Sequence, residues 1–586
     1  MDIGRIRRFY DLYNKSILQG RTDGAQIPFT ASKTVAAPKN PAAPYFPRIS
    51  PESVGLSSSY IDDFLHALEA GRGVHLHRIA VLCDSAVIAE AAHPAYRGLP
   101  TWHTCYSMTK SITALAVGIL LGEGKLALTD SVTELLELRR ADKWRALTVE
   151  HLLTMTSGAL FCDFFSIVET NWQTAFFDES PLFSPGSKFF YNSINTYLLG
   201  RIVTRLSGLP LPEFIEQRLF APMGITQFFF ECDAMGYAKG GWGLYLTLED
   251  MLKIAELLLH GGIFAGQRLV PAEWITEMSV PHRDVDPKMG DYDYGYQTWI
   301  CRKDDAVLFN GIFGQDIWLR PSQNLAVVAT SGNAEIFQQS EMLDIISEYF
   351  GHGFTRPTEK LRRDRRAERA LRRTQAEFFN SRDFVRPTPV KNHRHAALPE
   401  ACDLWLGEYA MESSAAGMMP GLLRMIQNCH TAGITEIAFC KEEGRFLLCV
   451  TEGGVIRRIA IGFSEYAYTD LSFDGEVYTV GALGALSTDG DLIYHLDVSL
   501  AYIELPYILK MRFRLSGSRL TLKIEEQPAL ELGAAIADAT QGIPTFLLNA
   551  VSIFLPHLHS DNIEAKFNAF CTPRLRGKRK DPNPKS

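Results

Sequence analysis

The sequence contains no apolar run of the length that a transmembrane helix requires. The longest late stretch, from Ile543 to Leu555, is too short to span a bilayer and includes Asn549. The first residues mix charged and aromatic side chains, and they hold neither the apolar core nor the small-residue cleavage site of a secretory signal. We therefore expect a soluble, cytoplasmic protein without a membrane span.

Paired cysteines are also missing. The 10 cysteines are scattered and form no CxxC pair, as is usual for reduced cytosolic thiols. The 15 histidines form no HExxH motif, and isolated HxH pairs are more often strand or surface residues than metal ligands. The three HxH pairs are His75/His77, His393/His395 and His557/His559. The sequence predicts neither a metal site nor another cofactor.

The chain has no excess of positive charge. Its 59 lysines and arginines stand against 67 aspartates and glutamates, so the net charge of −8 offers no overall attraction to nucleic acid or anionic lipid. Any such partner would need a local patch. The arginine-rich segment from Glu359 to Phe379 admits an anionic partner, but its closely spaced opposite charges favour a solvated connecting helix. We expect no nucleic-acid partner, and we interpret the basic stretch from Cys571 to Ser586 as a disordered tail.

At 586 residues the chain is too long for one ordinary core, so two or three domains are expected. Strands at both ends of residues 51–354, with helices between them, indicate an α+β domain whose sheet is assembled from distant segments. Period-two alternation with regular glycine turns over residues 396–540 predicts an antiparallel β-barrel. The other predicted ranges are an N-terminal extension and linker at 1–50, an arginine-rich helical linker at 355–395, and a C-terminal segment with the basic tail at 541–586.

The stretch from Tyr106 to Leu120 places a serine three residues ahead of a lysine at the start of an apolar helix. Ser107 then lies where unsatisfied N–H groups of the first turn can face a developing oxyanion. Lys110 falls one turn later on the same face, and burial together with the helix dipole should lower its pKa. This pattern fits a serine nucleophile with a lysine base, although a serine at this position is also a favoured helix cap.

Five blocks resemble the serine β-lactamase and penicillin-binding-protein superfamily in their order and spacing. The blocks are Pro51 to Leu68, Tyr106 to Val132, Leu147 to Leu160, Phe183 to Val203 and Gly240 to Gly262. The closest branch is class C-like and includes carboxylesterases, D-aminopeptidases and nylon-oligomer hydrolases. The resemblance covers roughly residues 50 to 350 and implies a β-lactamase/transpeptidase-like domain, in which helices flank an antiparallel sheet.

The resemblance implies an acyl-enzyme mechanism, with Ser107 as nucleophile and Lys110 as base. The second motif of the family, Y-x-N, aligns with residues 191–193. Tyr191 matches, and its phenol would relay the proton between Ser107 and the leaving group. Ser193 stands where asparagine is usual, so a hydroxyl replaces the amide that would bind a substrate carbonyl and the lysine.

The third motif of the family, K-T-G or H-x-G, aligns with Phe309, Asn310 and Gly311. Gly311 would let a substrate approach the backbone, and the N–H of Ile312 would be the second oxyanion donor beside that of Ser107. Phe309 places an apolar ring where relatives that bind penicillins commonly carry a cation or polar group. Lactam antibiotics are therefore poor candidates, and esters or amides with an apolar acyl part are better ones.

The sequence thus predicts a serine hydrolase that acts on a small-molecule ester or amide, or on a peptide. Two alternatives are an acyltransferase that uses the same acyl-enzyme and a catalytically inactive scaffold protein on this fold. The predicted barrel has a lipocalin-like character. Its alternation does not choose between capping the active-site cleft, recognising substrate and forming a homodimer.

Overall fold

The structure is a computed structural model. It describes residues 4–5, 7–8, 11, 31–38, 43–99, 101–139, 141–285, 291–335, 338–386, 400–412, 416–421, 423, 433–489, 493–529 and 572–580. None of the helices in these ranges combines the length and the apolar character needed to cross a bilayer. The apolar stretch from Ile543 to Leu555 lies outside the described residues.

The chain divides into two compact units. The first contains Met1–Asp2 and Pro38–Phe378, and the second contains Ile3–Ala37 and Phe379–Ser586. The division therefore falls within the predicted linker at 355–395. The proline- and alanine-rich strap that precedes the first unit in sequence belongs in part to the second unit.

The first unit contains twelve described helices, which we number in chain order. They are α1 (Ser58–Ala70), α2 (Met108–Gly122), α3 (Val132–Leu135), α4 (Val149–Leu153), α5 (Asp163–Ser166), α6 (Trp172–Asp178), α7 (Ser193–Ser207), α8 (Leu211–Ile215), α9 (Leu248–Leu259), α10 (Ala272–Met278), α11 (Glu341–Phe350) and α12 (Arg365–Glu377). The arginine-rich segment forms α12, which packs against α1 with Leu371 buried.

A seven-stranded antiparallel sheet forms the framework of the first unit, in the order β2-β1-β12-β11-β10-β9-β8. The strands of this unit are β1 (Leu76–Cys83), β2 (Ala86–Ala92), β3 (His103–Thr104), β4 (Phe229–Phe230), β5 (Leu244–Leu246), β6 (Ile263–Phe264), β7 (Gln267–Arg268), β8 (Asp293–Tyr294), β9 (Trp299–Cys301), β10 (Ala306–Gly311), β11 (Gln315–Arg320) and β12 (Leu325–Ser331). Strands β1 and β12 pair although they lie at opposite ends of the unit's sequence. The expectation of a sheet assembled from distant segments is thereby confirmed.

Helix α2 is the central helix of this unit, because every residue from Met108 to Leu120 is buried. Its apolar side chains belong to one continuous core with those of α7, α9 and the strands β10 and β11. Burial on all sides follows from an apolar sequence without a charged face after Lys110. The helix therefore holds its first turn, with Ser107 and Lys110, at a position fixed by the whole core.

The second unit is a ten-stranded antiparallel sheet, ordered β16-β15-β14-β13-β22-β21-β20-β19-β18-β17. Its strands are β13 (Gly407–Met411), β14 (Ile434–Glu442), β15 (Arg445–Glu452), β16 (Val455–Ile461), β17 (Ala467–Phe473), β18 (Glu476–Asp489), β19 (Ile493–Tyr502), β20 (Ile508–Ser516), β21 (Arg519–Gln527) and β22 (Arg574–Arg579). A bridge between Gly462 and Leu483 brings the two ends of the order together into a nearly closed barrel. The predicted fold class, a β-lactamase/transpeptidase-like α+β domain followed by an antiparallel barrel, is confirmed.

The interpretation of the basic C-terminal stretch as a disordered tail was wrong for residues 574–579. These residues form β22, which pairs with β13 on one side and β21 on the other. The reason is the alternation within the segment, where Leu575 and Gly577 point inward and are buried while the basic residues point outward. The charge of the stretch conceals this pattern in the sequence.

The N-terminal strap contributes a buried cation to the second unit. Lys33 is fully buried, and its Nζ lies 2.5 Å from the Oε2 of the equally buried Glu504. The ammonium also donates to the carbonyl of Val35 and lies over the ring of Tyr478. An ion pair held in this way is sensitive to the loss of one partner, since the other charge is then left buried alone.

We predict that Lys33→Met lowers the free energy of unfolding of the second unit by about 3–5 kcal/mol, because it strands the carboxylate of Glu504. The double variant Lys33→Met/Glu504→Gln should recover much of this loss. Lys441→Met, which breaks a surface pair with Asp403, serves as control and should cost less than about 1 kcal/mol. Denaturant-dependent hydrogen exchange of β18 and β19 in the full chain provides the measurement. Equal losses in the single and double variants would contradict the prediction.

Candidate active site

A strained turn carries the serine of the candidate site. Strand β3 pairs with β5, and the chain then passes through Tyr106, whose φ of +44° lies in the left-handed region that non-glycine residues rarely adopt. Ser107 follows at the start of α2, and its side chain makes no capping hydrogen bond. It is the only residue between Thr101 and Leu120 that is not buried. Its hydroxyl is therefore partly accessible and is not engaged as a helix cap.

Three oxygen atoms surround the amine of Lys110. Its Nζ lies 2.9 Å from the Oγ of Ser107, 2.7 Å from the Oγ of Ser193 and 2.8 Å from the carbonyl oxygen of Gly241. The carbonyl can only accept, so it anchors one N–H of the amine in either protonation state. When the amine is neutral, its lone pair is free to accept the proton of a hydroxyl. The geometry thus places a base within reach of the Ser107 hydroxyl.

Burial sets the protonation of this amine. It lowers the pKa of Lys110 to about 7, and the negative charge of Asp163 opposes that shift. Asp163 is tied to the same group of residues, because its Oδ2 accepts from the backbone N–H of Ser193 at 3.2 Å. A substantial fraction of Lys110 is therefore neutral at neutral pH.

Tyr191 completes the group. The ring centroid of Tyr191 lies 4.9 Å from the Nζ of Lys110, and the ring stacks on Trp299 at 5.6 Å. Burial raises the pKa of Tyr191 above its ordinary value, while a hydrogen bond with Ser107 acts in the opposite direction. The phenol is thus protonated near neutral pH and lies in contact with the serine hydroxyl, where it can pass a proton onward.

The structure places the third motif only partly at this site. Strand β10 ends at Gly311, where an added Cβ would lie 2.2 Å from the carbonyl oxygen of Cys105. Only glycine allows β10 to approach the turn that carries Ser107 so closely. This contact brings the half-buried Ile312 next to that turn.

Two residues of the third motif make their contacts elsewhere. Phe309 is fully buried in the main core. The side-chain amide of Asn310 donates to the Oδ1 of Asp316 at 2.6 Å and accepts from Gln338 at 3.0 Å. The structure therefore does not bring the side chains of Phe309 and Asn310 together with Ser107, Lys110, Tyr191 and Ser193.

Sequence reasoning missed two contributors to the site, Asp163 and the carbonyl of Gly241. Gly241 lies inside one of the blocks that carry the family resemblance, but no pattern in a sequence reveals which carbonyl accepts from a lysine. Asp163 is a single carboxylate among aromatic residues and belongs to no motif. Its role depends on the return of a distant segment to α7.

No group of three or more His, Cys, Asp or Glu side chains in the described parts of the chain is arranged to hold a metal ion. Of the three HxH pairs, only His75/His77 is described. His77 contacts His103 at 3.2 Å and the hydroxyl of Tyr96 at 3.2 Å. These contacts involve side chains that hydrogen-bond to each other behind β3.

Comparison with known proteins agrees with this geometry. Residues 80–339 match the family model described as Beta-lactamase. Protein Rv1367c of Mycobacterium tuberculosis is 27% identical over 33% of this chain and 63% of its own length. The 6-aminohexanoate-dimer hydrolase of Paenarthrobacter ureafaciens is 24% identical over 43% of this chain and 71% of its own length. A solved family VIII carboxylesterase is 15% identical, with a TM-score of 0.43, and the match covers 52% of this chain and 98% of the carboxylesterase.

Residues 80–339 are therefore a β-lactamase-family domain, and the resemblance to the serine β-lactamase and penicillin-binding-protein superfamily is confirmed for this part of the chain. Ser107, Lys110, Tyr191, Ser193 and Gly311 all lie within the matched residues. The chain spans 63% of the length of the mycobacterial relative. The relatives named here for an activity are hydrolases.

We predict that the modification rate of Ser107 by a fluorophosphonate rises with pH and reaches half of its maximum near pH 7, because only the neutral amine of Lys110 accepts the serine proton. Asp163 raises the pKa of Lys110, so Asp163→Asn should move this rise to lower pH. Asparagine keeps an acceptor for the N–H of Ser193, which separates charge from structure. An identical pH profile in the variant would contradict the role of Asp163.

A second prediction concerns Gly311. Gly311→Ala forces a methyl group against the carbonyl of Cys105, and the resulting displacement should slow the modification of Ser107 by about 100-fold. Gly73→Ala is the matched control, since its Cβ would meet only the flexible ends of Glu335 and Glu341. Rates measured on folded samples with each variant provide the test. Equal rates in the two variants would show that β10 does not position the site.

Proposed function

We propose that this protein is a serine hydrolase that cleaves an ester or amide through a covalent acyl-enzyme on Ser107. The observation that carries the proposal is the partly exposed Ser107 hydroxyl, which lies 2.9 Å from the buried amine of Lys110. A serine hydroxyl is a weak nucleophile by itself and needs an adjacent base. Lys110 supplies that base, because burial holds its pKa near 7.

In the first step, the Oγ of Ser107 attacks the substrate carbonyl carbon as its proton passes to the Nζ of Lys110. The carbonyl oxygen becomes an oxyanion, and the backbone N–H groups of Ser107 and Ile312 would donate to it. Collapse of this intermediate breaks the bond to the leaving group. Tyr191 gives its phenolic proton to the leaving group and regains one from Lys110, so the amine is neutral again.

In the second step, water attacks the acyl-enzyme. Lys110 and Tyr191 now accept the proton of the water and return one to the Oγ of Ser107, which releases the acid. Ser193 supports both steps through its contact of 2.7 Å with the Nζ of Lys110. A hydroxyl in the place of the usual asparagine therefore still holds the lysine, which argues against an inactive scaffold.

The proposed substrate is neutral around its acyl group. Phe309 carries no charge and is fully buried, so the third motif offers no cation to a substrate carboxylate. The loss of a charge-assisted hydrogen bond costs about 1.5–3 kcal/mol of binding free energy. Aromatic side chains are close to the nucleophile, since Tyr191 stacks on Trp299. Small esters and amides with an apolar acyl part fit these surroundings, and the cytoplasmic location and a homodimer remain predictions.

Mass spectrometry after incubation with a panel of activated esters tests the proposed function. We expect an acyl adduct on Ser107, none in Ser107→Ala, and a rate lowered about 10²–10⁴-fold in Lys110→Met. Ser187→Ala, a change at an exposed serine, is the control and should behave like the native protein. Adducts that persist in Ser107→Ala would refute the assignment.

The same incubation separates hydrolysis from acyl transfer. Release of free acid, unchanged when a small alcohol or amine is added, supports hydrolysis. Predominant formation of a new ester or amide with the added nucleophile would assign the protein as an acyltransferase instead.

A further inference from the structure

The outer face of β20, β21 and β22 in the second unit is strongly basic. Its outward-pointing residues include Lys510, Arg512, Arg514, Arg519, Lys523, Arg574, Arg576 and Lys578, which we call the basic face. Most of these side chains are exposed, and Lys510 and Lys523 are half-buried. The protein as a whole carries a net charge of −8, so this concentration of cations is local.

The strand register places like charges directly opposite one another. Lys523 lies opposite Arg574, and Arg519 lies opposite Lys578. Arg512 lies opposite Lys523 on the other side. Like charges in directly opposed positions destabilise an antiparallel pair. Folding requires only that these outward positions be polar, so the sheet itself gives no reason for cations here.

Acidic residues offset this charge only in part. Glu525 lies within ion-pair distance of Arg512 and Lys523. Asp497 faces outward on β19, and Glu412 adjoins β22. Within the described residues, no ion pair is seen for Arg514, Arg519, Arg574, Arg576 or Lys578. The basic face therefore carries a net positive charge that the protein does not neutralise.

We propose that the basic face docks the protein onto an anionic lipid bilayer. A two-dimensional array of exposed cations suits a surface that presents many anions, and each such residue near anionic lipid strengthens binding about fivefold. Nucleic acid fits less well, because the uncharged outward positions are small, as at Thr521 and Ser516, and provide no ring on which bases could stack. The outer face of a barrel also provides no groove for a duplex.

This docking goes beyond the hydrolase activity and does not depend on it. It places a local patch on a chain whose overall charge excludes general attraction to anions. The interaction is electrostatic, so it should weaken as salt shortens the range of charge interactions.

Cosedimentation of the full chain with lipid vesicles tests the proposal. The vesicles consist of phosphatidylcholine alone, or of phosphatidylcholine with about one part in three of phosphatidylserine. We expect binding only to the anionic vesicles and a loss of binding at high salt. The triple variant Arg574→Gln/Arg576→Gln/Lys578→Gln should bind at least about tenfold more weakly.

Two variants serve as controls. Arg366→Gln/Arg369→Gln/Arg372→Gln removes the same charge from exposed positions on α12 and should bind like the native protein. Arg574→Lys/Arg576→Lys keeps the charge of the basic face and should also keep binding, which separates charge from any folding defect in the triple variant.

Three outcomes would overturn the proposal. Equal binding to neutral and anionic vesicles would show that charge is not responsible, and unchanged binding by the triple variant would locate the contact elsewhere. A fluorescence anisotropy measurement with duplex DNA and with single-stranded RNA provides the third. Tighter binding to either than to anionic vesicles, lost in the triple variant, would make nucleic acid the partner.

Discussion

The burial of one amine controls the chemistry of this protein. Lys110 would be a cation in water, but the packed core around α2 makes the charged form costly and brings its pKa to about 7. Ser107, Ser193 and Gly241 are arranged around the same nitrogen. Each would lose its role if the amine were solvated, since a permanently charged lysine could donate hydrogen bonds but could not accept a proton. The apolar core is therefore part of the catalytic machinery.

The amine is nevertheless not isolated from charge. Asp163 lies close enough to favour the protonated form, and this effect limits the fall of the pKa that burial causes. A base works best when its pKa is close to the pH at which it operates. The two opposing influences therefore produce a base suited to neutral pH, with the helix providing burial and a short loop helix, α5, providing the compensating carboxylate.

The parts of the site that could be predicted from the sequence are those that depend on local geometry. Ser107 and Lys110 are one helical turn apart, and that spacing alone places them on one face. Alternation with period two similarly predicted the barrel. The parts that could not be predicted depend on long-range packing, such as the approach of Asp163 to Ser193. Phe309 shows the same limit, because alignment with a motif gave its position along β10 but not its depth in the core.

Charge and pattern conflicted at the C-terminal strand. The stretch around Leu575 has the composition of a solvated tail, yet its alternation is that of a strand with one apolar face. A six-residue segment is short, and its only large inward side chain is a leucine. Its partner strands, β13 and β21, lie far from it in the sequence, so pairing could not be inferred from neighbouring turns.

The position of β22 has a consequence for biosynthesis. This strand follows all the others in the sequence but lies in the middle of the sheet order, between β13 and β21. During translation, the ribosome therefore delivers nine strands whose arrangement still contains a gap with two unpaired edges, and such edges invite pairing with other chains. The first unit, by contrast, emerges with all of its strands well before that point. The nascent second unit would be most exposed to aggregation in the interval before its last strand arrives, so chaperone assistance at that stage would protect the barrel more than the hydrolase fold.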